Sequence, residues 1–172
     1  SISEYQQTFL LYDSSCFQYI ATITVIVKCP TYLHDVKWPV YSSPEYVYYV
    51  KKLAVNPNKH SKGIGTLFLS HIAKAAKYAS ILKSRGEAND FSSTFFASIC
   101  LPHFELLSNK VGKQNKEHLV TCRLDAATKY DALMNYYTKK LGFDIVKHTH
   151  FPCQVNGDIP VTAMSKTEVI HE

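Results

Sequence analysis

The stretch that most constrains the fold is residues 50–69, VKKLAVNPNKHSKGIGTLFL, because its hydrophobic period changes part way along. Val50–Val55 reads as a strand, with Leu53, Ala54 and Val55 small or apolar, and it stops at Asn56-Pro57. From Gly63 the period is helical. Ile64, Leu67, Phe68, Ile72, Ala75, Ala76, Ala79 and Leu82 fall on one stripe, with Ser70, Lys74 and Lys77 opposite. Between strand and helix lies NKHSKGIGT. Two glycines two residues apart at a helix start let a ligand approach the backbone closely, and the first turn leaves N–H groups without intrahelical acceptors. With the positive end of the helix dipole, that loop is an anion site suited to phosphate.

Two common nucleotide motifs fail here. A GxxxxGK[ST] loop needs a glycine that is missing ahead of Lys62, and a dinucleotide fingerprint needs a third glycine where Phe68 stands. The alternative is an ordinary strand–loop–helix with a glycine-rich turn.

The 172 residues suffice for one domain with a real core, and 46% hydrophobic against 19% charged residues are globular values. The net charge of +5 comes from scattered lysines, which reads first as a solvated surface. No basic stripe interleaved with aromatics suggests nucleic acid. The five cysteines are dispersed, without CxxC, which argues for reduced thiols in a cytoplasmic compartment and against a zinc site or disulfide framework. The longest apolar run, near Ile20–Val27, is too short to span a bilayer, and no secretory signal is visible, so no membrane partner is expected. The chain starts at Ser1 without Met and reads as a fragment or a processed product.

Thr8–Tyr12 and Phe17–Lys28 read as strands about a turn at Asp13-Ser14-Ser15, the second central because both its faces are apolar. Cys29–Pro44 is a long loop with three prolines, Trp38 and nearby tyrosines. Its aromatics read as the loop's own packing ahead of a substrate mouth. Gly86 is placed as the cap of the long helix. In Glu87–Lys116 the start, EANDFSS, reads as loop, and Pro102–Val111 as a short helix. The apolar residues Phe95, Phe96, Ile99, Leu101, Phe104, Leu106 and Leu107 of this segment must pack on the domain or on a second subunit, as in a homodimer. His118–Leu124 is the next strand and Asp125–Lys140 the next helix, with Tyr130, Leu133, Met134, Tyr137 and Leu141 at helical spacing. Gly142 ends it. Phe143–Lys147 and Val161–Lys166 follow as strands, separated by a turn at Asn156-Gly157. His148 and His150 share one face of a strand, but no third ligand stands near in sequence, and no metal is expected.

The run His60-Ser61-Lys62-Gly63-Ile64-Gly65, between a strand and a long helix, resembles the acyl-CoA-binding signature of the Gcn5-related N-acetyltransferase (GNAT) superfamily, with His60 at the usual Gln/Arg position. Tyr136–Phe143, YYTKKLGF, resembles the family's Y-x-K-L-G-F helix end, and Val161–Met164 its closing strand. The motifs stand in the family's order over roughly residues 8–166, which makes residues 87–116 an insertion in a single domain covering 1–172. The resemblance implies an α/β (α+β) fold, a mixed and mostly antiparallel central sheet with flanking helices. The strand and two helices that the family usually places before the first hairpin are absent, replaced or cut off here, since about seven residues precede it.

The resemblance further implies acetyl transfer from acetyl-CoA to a primary amine, directly in a ternary complex, with no acyl-enzyme and no cysteine nucleophile. His60, Ser61, Lys62, Gly63, Ile64, Gly65 and Thr66 then hold the pyrophosphate. The backbone of Leu53, Ala54 and Val55 bonds the pantetheine arm and polarises the thioester carbonyl. The family's tyrosine, which protonates the leaving thiolate, stands four residues before the LGF glycine, a position held here by Thr138. Tyr137 is one residue off, and a tighter or wider last turn would absorb the excess. The base position on the strand before the loop holds Tyr49 and Lys51 in place of Glu or His. Those departures keep a second reading open, a catalytically degenerate family member that binds acyl-CoA or a partner and regulates. The acceptor, small molecule or protein amine, is not legible.

Overall fold

The computed structural model describes residues 4–42, 45–59, 63–101 and 117–171. Six strands form one sheet: β1 (Gln6–Asp13), β2 (Gln18–Ile26), β3 (Glu45–Val55), β4 (Glu117–Ala127), β5 (Asp144–Phe151) and β6 (Ile159–His171), in the order β1-β2-β3-β4-β6-β5. Only β3 and β4 run parallel; every other neighbouring pair is antiparallel. Among the described residues three helices accompany the sheet: α1 (Ile64–Ser84), α2 (Phe91–Ile99) and α3 (Asp131–Asn135). This is the mixed, mostly antiparallel α+β architecture expected from the sequence.

The main core lies between the sheet and helices α1 and α2. Phe68, Ile72, Ala75, Ala76 and Ala79 of α1 pack on Ile23 and Val25 of β2, Tyr48 and Val50 of β3, and Val120, Cys122 and Leu124 of β4. The alanines matter because small side chains bring the helix close to the sheet. Leu67, expected in that stripe, is 61% exposed, since the stripe is narrower than its apolar residues. The helix ends as predicted at Gly86. The Glu87 N–H bonds the Leu82 carbonyl and the Gly86 N–H that of Lys83, with Gly86 at φ +71°.

Two boundaries differ from the sequence reading. EANDFSS is not loop throughout: Asp90 caps α2, its carboxylate accepting the N–H groups of Ser92 and Ser93. That helix buries Phe95, Phe96 and Ile99 in the main core, and His71 of α1 bonds the Ile99 carbonyl. Asp125–Ala127 belongs to β4 rather than to the next helix, because β6 continues to pair with it, Asp125 opposite Ala163 and Ala127 opposite Val161. Tyr130 and Leu133, expected on a buried stripe, are 53% and 37% exposed. The expected helix at Pro102–Val111 and the apolar Phe104, Leu106 and Leu107 lie outside the described residues.

The opposite face of the sheet carries a smaller core. The 29–42 loop folds over it, burying Leu33 and Val36 against Ile26, Tyr49 and Ala163, with Trp38 packed on the edge. Trp38 meets Tyr49 at a 6.1 Å ring separation and 76°. These loop aromatics pack, as read from the sequence.

Candidate functional site

The parallel pair β3 and β4 is in register from Glu45–Leu119 to Val50–Leu124. Past that point both strands continue, β3 held only by β2 and β4 only by β6. The sheet therefore opens in a V between residues 51–55 and 125–127. The outer arm is re-phased by a bulge. The register of β3 with β2 slips between Thr22 and Thr24, and Lys52 takes the left-handed conformation at φ +51°. Such a conformation costs a non-glycine residue about 1–2 kcal/mol. Its consequence is visible in burial. Tyr46, Tyr48 and Val50 face α1, and after one extra residue Leu53 and Val55 face it again.

The N-terminus of α1 points into the mouth of this V. A cavity of about 650 Å³ lies there, lined by Leu53, Val55, Lys59, Gly63, Ile64, Gly65, Thr66, Ala132, Leu133, Tyr136, Tyr137 and Lys140. The two glycines serve different needs. Gly63 precedes the helix at φ +72°, a conformation that side-chain-bearing residues rarely adopt. Gly65 faces the cavity: a Cβ there would stand 3.4 Å from the Tyr136 hydroxyl, 3.7 Å from Val55 and 3.8 Å from Leu53. The first intrahelical bond is Leu67 N–H to the Gly63 carbonyl, and among the described residues no side chain caps the helix. The backbone N–H groups of the first turn therefore face the cavity without intrahelical acceptors. His60, Ser61 and Lys62, the other expected phosphate-binding residues, lie outside the described residues. Ala54 lies exposed on the outer arm between Leu53 and Val55, away from the cavity lining.

Sequence reasoning did not single out Lys59, Lys140 and Tyr136. The two lysines bring positive charge to the mouth of the cavity. Lys59 is 3.9 Å from Asp13, and Lys140 lies 5.7 Å from the Tyr136 ring centroid. The Tyr136 hydroxyl and Thr66 Oγ1 share a 2.8 Å hydrogen bond that ties the last helix to the start of α1. The adjacent tyrosines of YYTKKLGF carried that signal, but the family spacing drew attention to the second.

Tyr136–Lys140 continues α3 as a π-helical turn, in which the Leu141 N–H reaches back to Tyr136. A π turn holds one residue more than an α turn. The excess residue before Gly142 is thus absorbed by a wider turn. Tyr137 is 7% exposed, with its ring edge-on to Phe143 at 5.8 Å and part of it on the cavity wall. Burial pushes its hydroxyl up to about 12, so it stays protonated at neutral pH. Thr138 turns inward on its own helix, donating to the Met134 carbonyl at 2.8 Å.

Tyr49 is not brought to this cavity. It sits on the far face of the sheet, 4% exposed, and its hydroxyl accepts from the Arg123 guanidinium at 3.0 Å. Burial pushes it up to about 12, against the downward pull of Arg123. A hydroxyl protonated at neutral pH and already accepting a charged donor is a poor base, and Tyr49, at the position read from the sequence as a possible base, lies away from this cavity. The same face carries Lys51, whose Nζ lies 4.3 Å from the ring centroid of Tyr32, and Asp125, whose Oδ1 accepts the Tyr32 hydroxyl at 2.5 Å. Among the described residues no group of three or more His, Cys, Asp or Glu could hold a metal ion. All five cysteines are unpaired, and no described helix is long and apolar enough to cross a membrane.

No protein-family model matches the sequence, and no curated protein matches it in sequence. Solved structures do match. The ribosomal-protein-S18-alanine N-acetyltransferase of Escherichia coli superposes with a TM-score of 0.50 at 15% identity, covering 96% of this chain and 71% of that one. Arabidopsis thaliana NAA60 in complex with a bisubstrate analogue gives 0.53 at 11%, covering 95% and 75%. The same protein in complex with acetyl-CoA gives 0.51 at 11%, covering 95% and 76%. At these identities the likeness is one of fold, and it extends over nearly the whole described chain. The chain has the fold of the Gcn5-related N-acetyltransferase superfamily.

Proposed function

We propose that the protein is an N-acetyltransferase that passes the acetyl group of acetyl-CoA directly to a primary amine in a ternary complex. The observation that carries this reading is the V between β3 and β4 with the α1 N-terminus at its mouth and a 650 Å³ cavity between them. The residues present fit the cosubstrate. The α1 N–H groups at Gly63–Thr66, with Lys59 and Lys140, suit a pyrophosphate. Leu53 and Val55 offer an apolar wall and a backbone edge to a pantetheine arm. Similar structures include one with acetyl-CoA and one with a bisubstrate analogue.

In this reading the bulge at Lys52 turns a backbone N–H of the outer β3 arm toward the thioester carbonyl, where it stabilises developing charge. The Tyr137 hydroxyl, neutral at working pH, gives its proton to the departing thiolate. Its raised value does not spoil the match, because the same apolar surroundings raise the basicity of a thiolate formed beside it. The unpaired, dispersed cysteines support a cytoplasmic setting.

The direct experiment is a CoA-release assay over a panel of small amines and N-terminal peptides, run beside a thermal-shift titration with acetyl-CoA and with CoA. Release with any amine supports the reading. Absence of both release and stabilisation overturns it. Stabilisation without release favours the degenerate, ligand-binding reading, which the poor basicity of Tyr49 supports.

A further inference from the structure

A thioester lying in the V has two faces. The α1 face is where the cavity admits the CoA arm, so an acceptor amine must come from the other. Two side chains stand at the first position past the parting point on that far face: Lys51, following Val50, and Asp125, following Leu124. Val50 and Leu124 are themselves buried in the main core, so their successors point the opposite way.

Asp125 is held in place there. Tyr32, on a short 3-10 turn at Thr31–Leu33 in the loop that covers this face, donates its hydroxyl to Asp125 Oδ1 at 2.5 Å. The Tyr32 ring is fixed in turn, edge-on to Phe151 of β5 at 4.8 Å and beneath the Lys51 ammonium at 4.3 Å. A half-buried carboxylate with so few donors is costly to keep charged. Among the described residues, the hydrogen bond that Asp125 makes through its carboxylate is the one Tyr32 donates to Oδ1.

We propose that Asp125 is the general base that takes a proton from the acceptor ammonium, with Tyr32 as its positioning residue. This rests on the acetyltransferase reading above. The step balances. Asp125 accepts one proton from R–NH3+, the freed amine forms the C–N bond as the C–S bond breaks, the thiolate takes the Tyr137 proton, and the second proton of the acylated nitrogen returns to the Tyr137 oxygen, which leaves a neutral amide, the CoA thiol and a protonated Asp125. The groups facing Asp125 are the Tyr32 hydroxyl from the loop and the Lys51 ammonium from β3, while the charge of Asp125 acts only weakly on Tyr137, which belongs to the α1 side. Arg123 lies two residues back on the same face and is engaged by Tyr49 and Glu45. Burial raises the Asp125 carboxyl, and Tyr32 and then Lys51 pull it back. The net upward direction brings it nearer the range of a useful base.

The test uses the full chain and whichever amine gives CoA release. It measures kcat/KM against pH for the parent, Asp125→Asn, Tyr32→Phe and Lys51→Gln, and follows the Asp125 carboxyl by 13C NMR titration. Asp125→Asn should lower kcat/KM about 10²–10⁴-fold and remove the acid limb of the profile, while acetyl-CoA stabilises the variant as it does the parent. Tyr32→Phe should retain more activity and move the acid limb to higher pH, because the donated hydrogen bond favours the carboxylate. A purely structural tyrosine would not shift the limb. An Asp125→Asn variant with parent rates and an intact acid limb overturns the proposal, as does loss of that limb in Lys51→Gln instead. A carboxyl that titrates in the ordinary range overturns it even in an active enzyme. A parent that binds acetyl-CoA but releases no CoA with any amine removes the acetyltransferase reading, and the proposal with it.

Discussion

Gly65 is the position where one side chain separates ligand binding from folding. Its Cα faces the cavity, with the Tyr136 hydroxyl 3.4 Å and Val55 3.7 Å from where a Cβ would stand. A valine places two further carbons about 1.5 Å beyond that point, into the space between the α1 N–H groups and the β3 arm. The apo protein should barely respond. In a helix valine is a few tenths of a kcal/mol more favourable than glycine, and the tight contact with Tyr136 offsets that. Apo stability is therefore expected within about 1 kcal/mol of the parent. Ligand response is different in size. An acetyl-CoA Kd in the micromolar range, at 100-fold excess of ligand, stabilises by about 2.7 kcal/mol, which for a chain of this length is about 5–10 °C in Tm. Gly65→Val should erase that shift, and Gly65→Ala should reduce it. The assay is differential scanning fluorimetry with acetyl-CoA and with CoA on the three proteins. A Gly65→Val protein whose Tm rises as the parent's does would refute the placement of the pyrophosphate at this helix end.

Tyr137→Phe keeps the ring against Phe143 and removes only the hydroxyl. It should lower turnover about 10²–10⁴-fold at nearly unchanged acetyl-CoA affinity, as read by CoA release and fluorimetry. Thr138→Val should leave turnover alone, because the Thr138 hydroxyl is spent on the Met134 carbonyl. Gly63→Ala meets no atom of the described residues within 4 Å, so its expected cost is backbone strain at φ +72°, about 1–2 kcal/mol in a urea melt. Phe95→Ala empties a fully buried site in the main core and should cost about 3–5 kcal/mol in the same measurement.

What was legible in the sequence was periodic or local. The alternation through Ile20–Val27 marked a central strand, and β2 is paired on both sides. The 3.6-residue stripe of α1 and the glycines on either side of Ile64 located the cavity mouth. What was not legible depends on partners far along the chain. Asp-Ala-Ala at 125–127 reads as a helix start, and only the 13-residue β6 running alongside makes it strand. Tyr32 and Asp125 are 93 residues apart, and nothing local to either announces the other. The spacing of YYTKKLGF exposed one residue too many, but whether the turn would tighten or widen was decided by Tyr136 bonding Thr66 while Tyr137 packs on Phe143.

The site depends on register more than on any single side chain. Because successive strand residues face opposite ways, a one-residue slip moves every side chain to the other face. The bulge at Lys52 is such a slip, made deliberately and confined to the outer arm of β3. Without it Lys52 and Ala54, in place of Leu53 and Val55, would face α1, and an ammonium would line the apolar wall of the cavity. Lys51 sits on the inner side of the bulge and keeps the phase of Tyr49, which holds it on the far face beside Tyr32 and Asp125. The left-handed residue thus lets one strand serve both faces of the V. Inserting or deleting a residue at Lys51-Lys52 should therefore damage both acetyl-CoA binding and turnover, whereas Tyr137→Phe and Asp125→Asn damage turnover alone.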